Sequence, residues 1–295
     1  MTLSRLYLPL FYLLNYLSIP QHGYSDKNAN IYVQTFKEHE GYISDKWDYY
    51  LYFYESHLQH YRSAPINYLE IGVQNGGSLQ IAKKYFHEDS DIYGIDIDER
   101  ICQNLNFVER ITTFCFDASK IESVQKFIDS DAMRGVYFDV IIDDGSHIQA
   151  QIIRTFSSFF QLLQPGGVYI VEDLMCSYWS THGGALLDEE SAMEYFKKLV
   201  DIFNFRYMEI DAKDLLEKNH LRSMSMDLFI YYHRWLESVL FTESMVIVKK
   251  RRKPRNDDEG LTRIMTGNHQ SIGTFPQETI DELKANTLNL GDYWE

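Results

Sequence analysis

Four acidic residues follow two apolar segments, and their positions suit the binding of a hard cation. Asp143 and Asp144 end the run IIDD, and Glu172 and Asp173 end the run IVED. If the two runs are neighbouring parallel strands, these carboxylates meet at one sheet edge and repel one another unless a positive charge lies among them. We therefore expect a Mg²⁺-like ion with oxygen ligands from Asp144, Glu172 and Asp173. The alternative is that some of these acids cap helices or lie in solvent.

A histidine lies close to these acids along the chain. His147 follows Asp144 by three residues, so both side chains are predicted to face the same pocket. An imidazole with an ordinary pKa near ~6.5 suits a general base that takes a proton from a hydroxyl at neutral pH. A histidine with a purely structural role is the alternative. The predicted catalytic residues are His147 and Asp144.

A glycine-rich segment, EIGVQNGGS, joins another apolar run to a helix-like stretch. Glycines at a strand-to-helix turn allow backbone N–H groups to approach a ligand at the start of the helix. The spacing is G-x-x-x-G-G, which differs from the dinucleotide fingerprint G-x-G-x-x-G. An ordinary tight turn would explain the segment about as well.

Acidic residues at the ends of the next two apolar runs extend this pattern towards a nucleoside. Asp96 is placed to accept hydrogen bonds from ribose hydroxyls, and Asp117 is placed to reach an adenine amino group. Three successive strand ends would thus offer backbone, ribose and base contacts to one ligand. The residues predicted to bind this cofactor are Glu70, Gly72, Gly76, Asp96, Asp117 and Asp143.

The elements that must position these groups alternate regularly along the chain. Strand-length apolar runs are separated by helix-like stretches, and we predict strands at 66–72, 92–98, 111–117, 137–145, 167–174, 205–210 and 244–250. This alternation predicts an α/β fold with a Rossmann-like doubly wound sheet, mostly parallel with an antiparallel last strand. Three regions are expected: a helical extension or lid over 1–62, a catalytic domain over 63–255, and a C-terminal tail over 256–295.

Composition excludes some functional classes. The 295 residues include 28 Lys+Arg and 43 Asp+Glu, a net charge of −15, which argues against a nucleic-acid partner because phosphate binding needs clustered positive charge. Three cysteines are too few for a disulfide framework, so a cytoplasmic location is expected. The apolar stretch 6–19 is too short to span a membrane, and we interpret it as a packing helix. The basic run KKRRKPR at 249–255 is expected to be a solvated strand end.

Several motifs together resemble one family. LEIGVQNGGSL, GIDID, IIDDGSH and GGVYIVEDL followed by SYW, with ESMVIVKK near the end of the domain, are similar to motifs of class I S-adenosylmethionine (SAM)-dependent methyltransferases. The resemblance covers roughly residues 40–250 and is closest to the metal-dependent sugar O-methyltransferases of macrolide biosynthesis and of bacterial surface-polysaccharide gene clusters. It implies metal ligation by Asp144, Glu172 and Asp173, a base at His147, and cofactor contacts at Asp96 and Asp117.

The function expected from this resemblance is methylation of a sugar hydroxyl with SAM and a divalent cation such as Mg²⁺. The expected partner is a saccharide-containing substrate: a glycan, a lipid-linked saccharide or a glycosylated metabolite. Self-association is a further expectation, and a peripheral membrane contact through residues 1–20 is the alternative to the packing helix. Two alternatives remain open at this point: a nucleotide-sugar oxidoreductase, and a catalytically silent scaffold or carbohydrate-binding protein.

Overall fold

A single mixed sheet organises the computed structural model, which describes residues 30–101, 110–256 and 276–288. The strands are β1 (Asn67–Ile71), β2 (Asp91–Asp96), β3 (Ile111–Cys115), β4 (Phe138–Asp143), β5 (Leu163–Val171), β6 (Leu236–Thr242) and β7 (Met245–Lys250). Their spatial order is β3-β2-β1-β4-β5-β7-β6. The first five are parallel, whereas β7 is antiparallel to both of its neighbours. The predicted fold class, including the antiparallel last strand, is confirmed.

Helices flank this sheet and precede its first strand. They are α1 (Ile31–Lys37), α2 (Asp48–Leu58), α3 (Gly77–Tyr85), α4 (Ile121–Asp129), α5 (Gln149–Phe159), α6 (Ala192–Asn204), α7 (Ala212–Lys218), α8 (Met226–Trp235) and α9 (Gln277–Leu288). Short 3₁₀ turns lie at Gln59–Ser63, Phe160–Leu162, Leu174–Tyr178, Ser180–His182 and Phe205–Tyr207. In the described residues no helix is both long enough and apolar enough to cross a membrane.

Two apolar layers cover the two faces of the sheet. Along β1, Leu69 and Ile71 belong to one buried cluster, whereas Tyr68 belongs to the other. This alternation follows from the two-residue repeat of a strand, whose successive side chains point to opposite faces. The second cluster also contains Tyr50 and Tyr54 of α2, both fully buried. Helix α2 is therefore held against the sheet by its aromatic face.

The chain divides into two compact units between Lys253 and Pro254. Helices α1 and α2 belong to the same unit as the sheet, and α9 belongs to the second unit. The three predicted regions, with boundaries at 62/63 and 255/256, stay predictions. The apolar stretch 6–19 lies outside the described residues.

Two local predictions need correction. The strand expected at 205–210 is instead a 3₁₀ turn at Phe205–Tyr207, because Phe205 packs edge-on against the rings of Phe229 and His233 on α8. The basic run at 249–255 is not uniformly solvated either, since Lys250 is only 4% exposed. Strand β6 was not expected from the sequence; it lies at the edge of the sheet and pairs with β7 through a tight connection in which Ser244 has a φ of 61°.

Candidate active site

A cavity opens at the carboxyl ends of the parallel strands, where β1 separates the two halves of the sheet. Its volume is about 570 Å³. Among the described residues, no lysine or arginine lines it. The lining includes seven aspartates: Asp45, Asp96, Asp98, Asp117, Asp143, Asp144 and Asp173. Such a lining favours a ligand that carries positive charge.

The glycine turn brings backbone to the mouth of this cavity. Gly72 has a φ of 85°, and a Cβ atom built there would lie 2.2 Å from the carbonyl oxygen of Asp144. Only glycine satisfies both the positive φ and this close approach of two strand ends. Gly76, with a φ of 82°, is the N-terminal cap of α3 and does not line the cavity.

The predicted nucleoside contacts have different local partners. Asp96 accepts hydrogen bonds from the backbone N–H groups of Val73 and Gln74, both at 3.0 Å, and thereby joins β2 to the glycine turn. Asp117 accepts hydrogen bonds from the backbone N–H and the hydroxyl of Ser119, at 3.0 and 2.7 Å. Both aspartates line the cavity. The structure therefore places them together at one ligand-sized space.

Asp143 is a buried aspartate among those that line the cavity. It is 4% exposed and accepts a hydrogen bond from the hydroxyl of Tyr169 at 3.1 Å. Burial raises the pKa of its carboxyl to about 7, although the hydrogen bonds from Tyr169 and the Gly145 N–H favour the ionised form.

His147 lies between two acids at the cavity wall. Its Nε2 is 3.7 Å from Asp144 Oδ1 and 3.7 Å from Asp173 Oδ2. Ligand atoms of Asp144, His147 and Asp173 all lie within 4.8 Å of one another, and each side chain is partly exposed. Positive φ angles at His147 (56°) and Asp173 (54°) turn both backbones so that the side chains face this point. Strained conformations of this kind are typical of functional sites.

Glu172 and Glu70 point away from the cavity, towards a lysine. Lys46 places its ammonium 2.5 Å from Asp144 Oδ2, 2.8 Å from Glu172 Oε1 and 3.6 Å from Glu70 Oε1. Glu172 is 2% exposed and also accepts a hydrogen bond from the hydroxyl of Tyr54. Glu70 is 1% exposed and accepts a hydrogen bond from the Tyr68 hydroxyl at 2.9 Å.

The pKa values of Glu172 and Lys46 are both raised, for different reasons. Burial raises the pKa of Glu172 to about 8, and Asp144 adds to this shift, while Lys46 opposes it. Burial alone would lower the pKa of Lys46, but attraction from Glu172, Asp144 and Glu70 outweighs burial and raises it well above the usual lysine value. We take Lys46 as charged, because its ammonium contacts carboxylates on three strand ends.

The sequence reasoning did not identify the contribution of the segment before β1. Asp173 accepts hydrogen bonds from the Trp47 indole N–H at 3.2 Å and from the Tyr50 hydroxyl at 2.9 Å. Tyr50 and Tyr54 are four residues apart on α2, so their hydroxyls lie on one helix face and reach Asp173 and Glu172 respectively. That spacing was the one signal in the sequence, whereas nothing local marks Lys46.

Comparisons with known proteins identify relatives of this chain. The chain is 37% identical over 168 residues to an 8-demethyl-8-alpha-L-rhamnosyl tetracenomycin-C 2'-O-methyltransferase of Streptomyces olivaceus, covering 54% of this chain and 42% of that protein. It is 30% identical over 230 residues to a mycinamicin VI 2''-O-methyltransferase of Micromonospora griseorubida, covering 74% of this chain and 51% of that protein. The chain thus spans about half the length of these curated relatives. No family model matches it.

Solved structures similar to this chain are also methyltransferases. The MycE methyltransferase of the mycinamycin biosynthetic pathway, in complex with Mg and SAH, matches with a TM-score of 0.56 and 27% identity, over 74% of this chain and 52% of that chain. The complex of MycE with Mg, SAH and mycinamycin VI matches with a TM-score of 0.57 and 25% identity, over 81% of this chain and 57% of that chain. The protein therefore has the class I SAM-dependent methyltransferase fold. More particularly, its homologues are sugar O-methyltransferases of macrolide and polyketide biosynthesis, which confirms the resemblance identified in the sequence.

Proposed function

We propose that this chain is a SAM-dependent O-methyltransferase that acts, with the help of a divalent cation, on a hydroxyl of a sugar residue. The observation that carries the proposal is the position of His147, 3.7 Å from a carboxylate oxygen of both Asp144 and Asp173 at the wall of the acidic cavity. The homologous sugar O-methyltransferases support it.

The cavity suits the cofactor in size and charge. Its volume of about 570 Å³ is in the range of small-molecule sites, and its seven aspartates complement the sulfonium and ammonium groups of SAM. Asp96 and Asp117 are the proposed contacts to ribose and adenine, and Gly72 gives the backbone access. When bound, SAM supplies an already activated methyl group, so the protein's task is mainly to position donor and acceptor.

The donor set also suits a Mg²⁺-like cation. Asp144 and Asp173 offer carboxylate oxygens next to His147, and Glu172 is the further proposed ligand from the adjoining position. A cation held there would supply positive charge that makes a nearby hydroxyl easier to deprotonate. His147 is then proposed to accept that proton, while Asp144 and Asp173 orient the imidazole and stabilise its charged form.

The acceptor is proposed to be a sugar that approaches over exposed aromatic side chains. Tyr178 and Trp179, in the turn after β5, are 47% and 48% exposed, and Trp47 is 52% exposed beside Asp173. Aromatic faces of this kind pack against sugar rings. We propose a glycosylated small molecule of the macrolide type or a saccharide of a surface polysaccharide as the acceptor, and the cytoplasm as the location. Self-association and a peripheral membrane contact stay predictions.

The test is methyl transfer from SAM to a panel of macrolide glycosides and lipid-linked saccharides, followed by mass spectrometry. We expect His147→Asn to lower kcat by at least about 10²-fold, the range for loss of a general base, since asparagine tolerates the positive φ at this position. Binding of S-adenosylhomocysteine should be kept, and His87→Ala, on the surface beside Asp89, serves as the control. Binding of NAD⁺ in preference to S-adenosylhomocysteine would favour an oxidoreductase, and tight cofactor binding without turnover on any acceptor would favour a silent scaffold.

A further inference from the structure

The ammonium of Lys46 lies between two of the carboxylates that are proposed to bind the cation, Asp144 and Glu172. Its side chain is 5% exposed, and its nitrogen lies 2.5 Å from Asp144 and 2.8 Å from Glu172. Hard divalent cations bind the same kind of carboxylate oxygen at about 2.0–2.6 Å. The two nitrogen–oxygen distances at Lys46, both within 2.8 Å, are thus close to the distances between a metal ion and its oxygen ligands.

An ammonium and a divalent cation cannot share this position. Two positive groups in contact with the same buried oxygens would repel strongly, because the low local dielectric weakens screening. Besides Asp144 and Glu172, the one acidic partner within ion-pair distance of Lys46 among the described residues is the buried Glu70, near the end of β1. Cation binding at Asp144 and Glu172 therefore requires that Lys46 withdraw from at least one of them.

We propose that Lys46 is a positioning residue that competes with the divalent cation: it holds Asp144 and Glu172 together and thereby sets how tightly the cation binds. The inference rests on the proposed function, since it takes Asp144 and Glu172 as cation ligands. Lys46, on the segment that leads into α2, would thus be a monovalent competitor for the position between Asp144 and Glu172.

Trp47 follows Lys46 directly and donates its indole N–H to Asp173, the third acid of the proposed cation site. Two adjacent residues that precede α2 thus contact the proposed cation ligands.

The first experiment measures Mn²⁺ affinity of the full chain by electron paramagnetic resonance of free Mn²⁺. We expect Lys46→Met to bind Mn²⁺ at least about tenfold more tightly than the wild type, because a competing buried charge is removed. Lys120→Met is the matched control. Lys120 is 67% exposed and lies 3.6 Å from Asp117, so this substitution removes a positive charge near the cavity but leaves the contacts of Asp144 and Glu172 unchanged. The Mn²⁺ affinity of this variant should stay within about twofold of the wild type, as expected for a screened surface charge.

A second measurement uses the wild type, in case Lys46→Met does not fold. Acetylation of lysines by acetic anhydride, mapped by mass spectrometry with and without saturating Mg²⁺, reports whether Lys46 leaves its buried position. We expect Lys46 to react at least about fivefold faster with Mg²⁺, while Lys120 reacts at the same rate in both conditions.

The outcomes separate this inference from the proposed function. Equal Mn²⁺ affinity in wild type and Lys46→Met, or a Lys46 that stays protected at saturating Mg²⁺, would overturn the role of Lys46 and leave methyl transfer untouched. Absence of Mn²⁺ binding in both proteins would overturn the cation itself, and with it this inference.

Discussion

Two buried lysines lie at opposite ends of the same sheet, in contrasting surroundings. Lys46 contacts three carboxylates at the carboxyl ends of β1, β4 and β5. Lys250, the last residue of β7, donates to the carbonyl of Leu163 at 2.6 Å, where β5 begins. Its ammonium lies 5.0–5.6 Å from the ring centroids of Phe160, Tyr231 and Trp235. In the described part of the chain, no carboxylate lies within ion-pair distance of Lys250.

The pKa values of the two lysines diverge accordingly. Burial lowers the pKa of Lys250 to about 8, because aromatic faces and carbonyls compensate only part of the lost hydration. Burial acts on Lys46 in the same direction, but three acids reverse the result and raise its pKa. The difference follows from the partners: three carboxylates surround the ammonium of Lys46, whereas a backbone carbonyl and aromatic rings surround that of Lys250.

The largest effect that would test this contrast is on stability. We expect Lys46→Met to lower the free energy of unfolding by about 3 kcal/mol in the presence of EDTA, since it leaves Glu70, Glu172 and Asp144 without their counter-charge. Lys250→Met should cost about 1 kcal/mol, the loss of one buried hydrogen bond and a cation–π contact. Urea denaturation followed by circular dichroism measures both. Equal losses would contradict the contrast.

A smaller effect on stability should appear when the charge of Glu172 is removed together with that of Lys46. In the double variant Lys46→Met with Glu172→Gln, we expect about 1–2 kcal/mol of the lost stability to return, because the amide is neutral and still accepts the Tyr54 hydrogen bond. The same denaturation experiment provides the measurement, with Glu172→Gln alone completing the cycle. An additive double variant would show that Lys46 stabilises the fold by packing of its aliphatic chain and not by charge.

The two ends of the sheet also differed in how well the sequence predicted them. The carboxyl-end acids could be found because each follows an apolar strand, and parallel strands place such residues at one edge. Lys46 could not be found in this way, since it lies 98 residues from Asp144 and 126 from Glu172 along the chain. A single lysine has no periodicity, and only the packing of α2 brings it to the acids.

Similar limits apply to the fold. Strands β1, β4 and β5 are largely buried apolar runs, and β2 and β3 mix buried and more exposed positions, so the positions of all five followed from hydropathy. In strand β6, at the sheet edge, only the first residue is buried and the others are half-buried or exposed; the strand also begins directly after α8, which hid its start. Phe205 and its neighbours had a strand-like composition, but the ring contacts with α8 overrode that preference.

The smallest expected effect is a change of stability with pH at the Lys250 end. The pKa of Lys250 in the folded protein, about 8, lies below the usual lysine value of 10.5, so the unfolded chain binds more protons between these two pH values. Stability from this residue should therefore rise as pH increases from about 8 towards 9.5, below the range where tyrosines of the unfolded chain ionise. The measurement is the difference in melting temperature between wild type and Lys250→Met across pH 7 to 9.5. We expect the melting temperature of the wild type to rise relative to that of the variant as pH increases. A difference that stays constant would show that Lys250 keeps an ordinary pKa, and thus that aromatic surroundings stabilise its ammonium as well as carboxylates do.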